Sequence, residues 1–318
     1  MSGQKKIFIT GASGYIGSVI TQQAITSGYT VHALSRSSPS DSKLSSLGAT
    51  PIRGDLSTHD ILTREAAAAD IVISLADALA GNFGTMTMEE RVRINNGALT
   101  ALAEGLKGTG KPLVVTSGSL AVAADPEGKE TNESSPPWSD SPFSTGSEDH
   151  AFGLGKELGI RICAIRLAPY VYGRGGSGVK LFMGMAAAAG SVFYVDSGSV
   201  RITTVHVDDA ARLYLLVAEK GRAGEVYNAT SETHVTQRQL TEAMGKVLAL
   251  PVREQSYADT EAKMGLFFAK FLSLENRAGN RKAMEEFGWV PQAKKGILEE
   301  IASGSYVEVA EGLRKPKA

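Results

Sequence analysis

A single cysteine, Cys163, stands among 318 residues, so no internal disulfide can form and a reducing compartment is the natural home. It lies in the apolar run from Ile160 to Leu167, where a thiol packs as a small hydrophobe rather than acting as a nucleophile. Excess charge is also missing: 33 Lys and Arg against 34 Asp and Glu leave a formal net charge of -1. Without a positive field to gather on a phosphate backbone, nucleic acid is not expected as a partner, and small molecules are. No apolar stretch approaches the roughly 20 residues of a membrane helix. No signal-peptide core precedes the first strand, so a cytoplasmic protein with no membrane partner is expected. The histidines at 32, 59, 150, 206 and 234 show no metal-ligand spacing with one another or with Cys163, and no metal is expected. Hydrolysis by a Ser-His-Asp set lacks a nucleophile-elbow motif. Oligomeric state leaves no mark in the sequence.

What the chain does have is alternation. Ile7-Phe8-Ile9, Thr30 to Leu34, Pro51-Ile52-Arg53, Ile71-Val72-Ile73, Leu113-Val114-Val115 and Ile162 to Leu167 read as six strands separated by helical patterns. That is the signature of an α/β fold, a Rossmann-type doubly wound parallel sheet. Met88, Val92, Leu99, Leu102 and Leu106 recur at helical spacing and predict a one-sided apolar stripe. From Asp125 to Ser144 four of the eleven prolines accumulate, marking a surface loop. Its Trp138 and Phe143 either staple it to the body or belong to a lid. Gly173-Arg174-Gly175-Gly176-Ser177-Gly178 reads as a flexible connector and hinge into a second lobe, with Asp208 expected to cap the helix running to Glu219. Thr236 and Gln239 have the spacing of a capping box. The expected division is a dinucleotide-binding domain over residues 1–172 plus about 200–232, and a smaller C-terminal substrate lobe over about 173–199 plus 233–318.

The most specific signal is Thr10-Gly11-Ala12-Ser13-Gly14-Tyr15-Ile16-Gly17, which follows a strand and opens a helix. In that context Gly11 permits a tight turn, Gly14 lets backbone approach a pyrophosphate, and Gly17 lets helix and strand pack closely. The helix N-terminus offers N–H groups and partial positive charge to the phosphates. The end of the second strand, Leu34-Ser35-Arg36-Ser37-Ser38, has an arginine where NAD proteins carry an acid for the ribose hydroxyls. A guanidinium forks onto a 2′-phosphate and serine hydroxyls add bonds, so NADP(H) is expected as cofactor and NAD(H) less so. The competing reading of Arg36 is a solvated surface charge.

These motifs resemble those of the extended short-chain dehydrogenase/reductase family, in its epimerase/dehydratase-like branch. The resemblance rests on the glycine spacing, Gly54-Asp55-Leu56, Leu75-Ala76, Arg166-Leu167-Ala168-Pro169-Tyr170-Val171-Tyr172-Gly173, Val205-His206-Val207-Asp208-Asp209 and Phe287-Gly288-Trp289-Val290-Pro291, and it runs from about Lys6 to Tyr306. It implies that Asp55 and Leu56 line the adenine, that Leu75 and Ala76 lie under the nicotinamide-side ribose, and that Pro169, Tyr170 and Val171 flank the nicotinamide. Asn95 matches the asparagine that the family keeps beside its active site. On the apolar stripe between Val92 and Leu99, its amide needs partners in any case.

One part of the pattern is absent. The family uses a tyrosine with a lysine four residues later, and none of the nine tyrosines here has one. One register falls on Ser144 and Glu148, another on Phe152 and Lys156, where the ring has no hydroxyl. Gly118 stands in the serine column, between Ser117 and Ser119. The expected activity is an NADP(H)-dependent oxidoreductase transferring hydride to a small activated carbonyl, enone or imine. Ser117 or Ser119 then serves as hydrogen-bond donor, and Tyr170 or Tyr172 as proton source. The rivals are a catalytically silent NADP(H) sensor and a non-redox enzyme on the same fold.

Overall fold

The computed structural model describes residues 4–314 apart from 81, 83 and 84. By its contacts the chain divides into two compact units. The first takes the chain up to Ser117, then Thr145–Ile165 and Ala211–Tyr227; the second takes Gly118–Ser144, Arg166–Ala210 and the chain from Asn228 on.

Strand and helix alternate first as β1 (Lys6–Thr10), α1 (Tyr15–Thr26), β2 (Thr30–Ser35), α2 (Ser38–Ser46), β3 (Thr50–Arg53) and α3 (His59–Ala68). Then come β4 (Ile71–Ser74), α4 (Met88–Gly105), β5 (Pro112–Gly118), α5 (Gly146–Leu158) and β6 (Arg161–Leu167). The later elements are β7 (Tyr170–Tyr172), α6 (Ser177–Ala189), β8 (Val192–Val195), β9 (Arg201–His206), α7 (Val207–Lys220) and β10 (Val226–Ala229). The chain closes with β11 (Glu232–Thr236), α8 (Gln237–Leu248), β12 (Val252–Gln255), α9 (Tyr257–Ser273), α10 (Arg281–Phe287), α11 (Ile297–Ser303) and α12 (Tyr306–Arg314).

The six strands read from the sequence form one sheet together with a seventh, β10, in the order β10-β6-β5-β4-β1-β2-β3. β10 escapes a sequence reading because Val226-Tyr227-Asn228-Ala229 is too short and mixed to stand out. β1 pairs in parallel with β2 on one side and with β4 on the other. Strand order therefore reverses at β1, which makes the carboxyl ends of β1 and β4 the topological switch point where such sheets bind ligands. Ile7, Phe8 and Ile9 have no exposed surface, as befits a parallel strand covered on both faces.

The core of the first unit gathers Phe8, Leu62, Val72, Leu102, Leu113 and Ile162. Along α4 the predicted stripe holds only in its second half: Leu99, Leu102 and Leu106 are buried, whereas Met88 and Val92 are exposed. α4 begins with a capping box, Thr87 to Glu90, and its first turns project beyond the core that its later turns cover. None of the described helices is long and apolar enough to cross a membrane.

The second unit holds two small sheets, β11-β9-β7 and β12-β8. Tyr170, Met183, Ile202, Leu240, Met244 and Tyr306 lie in its core. The capping box at Thr236 and Gln239 forms as expected, whereas Asp208 lies within the first turn of α7 and pairs with Arg174 instead of capping the helix. The proline-rich loop is stapled. Trp138 Nε1 donates to the Leu120 carbonyl at 2.9 Å, and the Phe143 ring lies 5.2 Å from that of Phe267.

The glycine-rich run after β7 is not a slack connector. Tyr306 Oη accepts from Gly173 N at 3.0 Å and donates to Gly176 O at 2.9 Å, and Gly175 N donates to Ser305 Oγ at 2.7 Å. Composition predicts flexibility there because it cannot see partners from α12, about 130 residues on. Tyr306→Phe removes the hydroxyl that Gly173 N and Gly176 O share in a buried site. That change is expected to lower stability by about 1–3 kcal/mol in urea denaturation, and an unchanged midpoint would mean the hydroxyl holds nothing in place.

Candidate active site

At the switch point the glycine motif is set by backbone crowding. Gly11 has φ 76°, and a Cβ there would meet Ala76 N at 2.8 Å. A Cβ on Gly17 would lie 2.1 Å from the Gly11 carbonyl oxygen. The loop, the start of α1 and the end of β4 thus touch through main chain alone. Gly14 is the N-cap of α1, is exposed, and brings no side chain to cap the helix. The mouth of the helix is left open to an anion, as a pyrophosphate site requires. On the other side of the loop, the register pairs Ile9 with Ile73 and Thr10 with Ser74. Leu75 and Ala76 follow directly, with Ala76 N donating to Thr10 Oγ1 at 3.3 Å.

The end of β2 carries two serine hydroxyls and a cation. Ser35 is buried, and its Oγ donates to Ser37 O at 3.3 Å. Ser37 is the N-cap of α2 and accepts from Ser40 N. Arg36 between them is exposed and has neither hydrogen bond nor ion pair among the described residues. Asp41 in the first turn of α2 is neutralised by Arg53. A residue the sequence reading missed adds a second cation: Lys43 Nζ donates to the Ser13 carbonyl at 2.7 Å, from α2 onto the glycine loop. No local motif announces it, since the contact spans thirty positions of chain. After β3, Asp55 is exposed and shapes its turn by accepting from Ser57 N at 2.8 Å, with half-buried Leu56 beside it.

Asn95 projects from α4 to the loop after β4, where its Oδ1 accepts from Ala78 N at 2.9 Å. The neighbouring Asp77 is gripped by Arg91, whose Nε and Nη2 reach the carboxylate at 2.9 and 2.6 Å. Burial alone would raise the Asp77 carboxyl, but the Arg91 guanidinium outweighs it, with help from the Leu79 amide and Asn95, and holds it below the usual carboxylate range. Asn95 and Arg91 therefore fix the loop that begins at Leu75 and Ala76.

The candidate hydroxyl groups separate clearly. Ser117, at the end of β5 in the first unit, is half-buried, and its Oγ has no partner among the described residues. Its neighbour Thr116 is occupied, donating to Ser74 O at 2.8 Å and meeting Tyr214 Oη at 2.8 Å. In the second unit Ser119 is fully buried and donates to Asn276 Oδ1 at 2.8 Å. Tyr170 donates to Gln237 Oε1 at 3.2 Å and Tyr172 to the Lys295 carbonyl at 2.8 Å. Burial pushes both phenols well above their ordinary value. In this structure the hydroxyl protons of Ser119, Tyr170 and Tyr172 are each shared with a protein acceptor, and the two rings pack in the core. Pro169 and Val171 flank Tyr170, Pro169 half-buried and Val171 buried. Phe152, in the position of a tyrosine in one register, packs against the core of the first unit, and Lys156 is exposed.

A model of the NAD dependent epimerase/dehydratase family matches residues 7–230. The chain belongs to this family. It is 33% identical over 299 residues to the protein YLL056C of Saccharomyces cerevisiae, covering 93% of this chain and 97% of that one. It is 27% identical over 237 residues to a 4-hydroxy-2-methyl-3-oxo-4-farnesyl-3,4-dihydroquinoline-1-oxide ketoreductase of Stigmatella aurantiaca, covering 73% of this chain and 70% of that one. Among solved structures, the dTDP-glucose 4,6-dehydratase DesIV of Streptomyces venezuelae, with NAD and TYD bound, superposes with a TM-score of 0.77 at 20% identity. That match covers 96% of this chain and 97% of DesIV, and it shows a shared fold.

The loop after β4 tests the role of Asn95. Asn95→Leu removes the acceptor for Ala78 N and is expected to cost about 1–3 kcal/mol, read in a melting curve. Affinity for dinucleotide should fall with it, because Leu75 and Ala76 lose their anchor. A variant with parental melting and parental affinity would reduce Asn95 to a tolerated polar residue.

Proposed function

We propose that the protein is an NADP(H)-dependent oxidoreductase acting on a small activated carbonyl, enone or imine. The observation that carries this reading is the uncommitted Arg36 guanidinium at the end of β2, where no carboxylate stands. A neighbouring cation, Lys43, and the N-terminus of α2 favour the same negative charge. The ketoreductase relative supports the redox assignment, and the NAD bound in DesIV supports a nicotinamide dinucleotide.

In this reading the uncapped start of α1 binds the pyrophosphate, and Gly11 and Gly14 let backbone come close to it. Arg36 and the Ser37 hydroxyl hold the 2′-phosphate. NADPH, when bound, supplies a hydride to an electrophilic substrate carbon. The electron pair displaced onto the substrate oxygen or nitrogen needs a donor, and Ser117 Oγ–H is the hydroxyl available at the carboxyl end of β5. Serine is a weak acid, so the proton that completes the product comes from water relayed through it. Substrates whose anion is delocalised, or imines already protonated, need less assistance than plain ketones.

Two measurements test this. NADPH should bind more tightly than NADH, and Arg36→Ala should weaken NADPH roughly 10- to 150-fold while leaving NADH nearly unchanged; equal affinities in the parent would sink the assignment. Turnover with NADPH should be faster on activated carbonyls, enones and iminium compounds than on plain ketones. Ser117→Ala should slow it by roughly a hundredfold or more, with NADPH affinity intact. Tight NADPH binding with no turnover across such a panel would favour the sensor instead. That reading draws support from the occupied hydroxyl groups of Ser119, Tyr170 and Tyr172.

A further inference from the structure

The second unit has a partly open cavity of ≈ 560 Å³ lined by α6, β8, α8, β12 and α9. That volume falls in the range of small-molecule sites, roughly 300–1,000 Å³. Phe182, Met185, Met244, Met264 and Leu272 supply apolar walls. Met264 and Leu272 come from opposite sides of a break in α9, where Gly265 has φ 81° and ψ 164°. Methionine and phenylalanine together make a lining that adapts to the shape of an apolar guest. The same two helices also leave apolar side chains in solvent: Leu181 and Met185 on α6 are 50% and 38% exposed, and Leu266 on α9 is 49% exposed.

One polar group in the wall has a donor to spare. Gln237 is 2% exposed and lines the cavity. Its Oε1 accepts from Tyr170, while its Nε2 has no partner among the described residues. An amide N–H with no acceptor in the protein is free to donate to an acceptor on a guest. The charged residues of the lining balance in number, Arg253 and Lys263 against Glu254 and Asp259, so no net charge selects for an ion.

From this lining we infer that the cavity binds a neutral, elongated apolar molecule bearing a carbonyl oxygen, with that oxygen on Gln237 Nε2 and the hydrocarbon or aryl body against Phe182 and the methionines. The site goes beyond the cofactor reading and does not depend on it.

The test is calorimetric titration of the full chain with methyl pentyl, methyl heptyl and methyl nonyl ketone, with NADPH titrated into the same samples. Affinity should rise roughly fourfold per methylene until the cavity is full. Ala189 lines the cavity and is itself exposed; Ala189→Trp should lower ketone affinity at least tenfold and leave NADPH affinity unchanged. Gln237→Glu keeps the acceptor for Tyr170 and loses the donor, so ketones should weaken about tenfold while the matching alcohols, which donate, hold their affinity. Absence of saturable ketone binding, affinity independent of chain length, or parental affinity in either variant would overturn the inference. Intact NADPH binding beside a failed ketone titration counts against the cavity site alone.

Discussion

No side chain larger than hydrogen fits at Gly17, because its Cβ would stand 2.1 Å from the Gly11 carbonyl oxygen. That single contact sets how near α1 approaches the end of β1. The approach in turn brings the loop against the main chain of β4, where Ala76 N crowds Gly11. Everything the first unit offers a dinucleotide hangs on this crowding: the uncapped helix start, the Thr10 bond to the loop after β4, and the reach of Lys43 from α2 to Ser13. A side chain at either glycine would force strand, helix and neighbouring loop apart together.

Around that constraint the molecule spends its hydroxyl groups unevenly. Thr116, Ser119, Tyr170 and Tyr172 all tie main chain or side chain to distant parts of their own units, and Ser117 does not. The loop after β4 follows the same logic with charge: the Asp77 carboxylate is surrendered to Arg91 so that Asn95 and Ala78 hold one geometry. A paired carboxylate of this kind contributes rigidity more than attraction for ligand.

Much of the fold was legible before any coordinates. Six of the seven sheet strands, the glycine turn and the capping box at Thr236 are written in spacings of a few residues, and local chemistry sets them. Where local reading failed, the deciding partner lay elsewhere in the chain. Met88 and Val92 share the period of Leu99, yet no element among the described residues covers them, so periodicity alone overstated the buried face of α4. The glycine-rich run after β7 has the composition of a hinge, and Tyr306 turns it into a fixed corner.

By itself, then, the sequence determined the α/β class, the dinucleotide turn and the basic residue at the end of β2. These depend on which residue follows which, and on the narrow conformational freedom of strand, helix and glycine. Only the tertiary structure separates the surroundings of Ser117 and Ser119, which stand two positions apart and look alike in a list of residues. The partner of Ser119 is Asn276, 157 residues on, and that of Tyr172 is Lys295, 123 residues on. A hydrogen bond needs its two atoms within about 3.5 Å, and chain folding alone brings such distant residues to that separation.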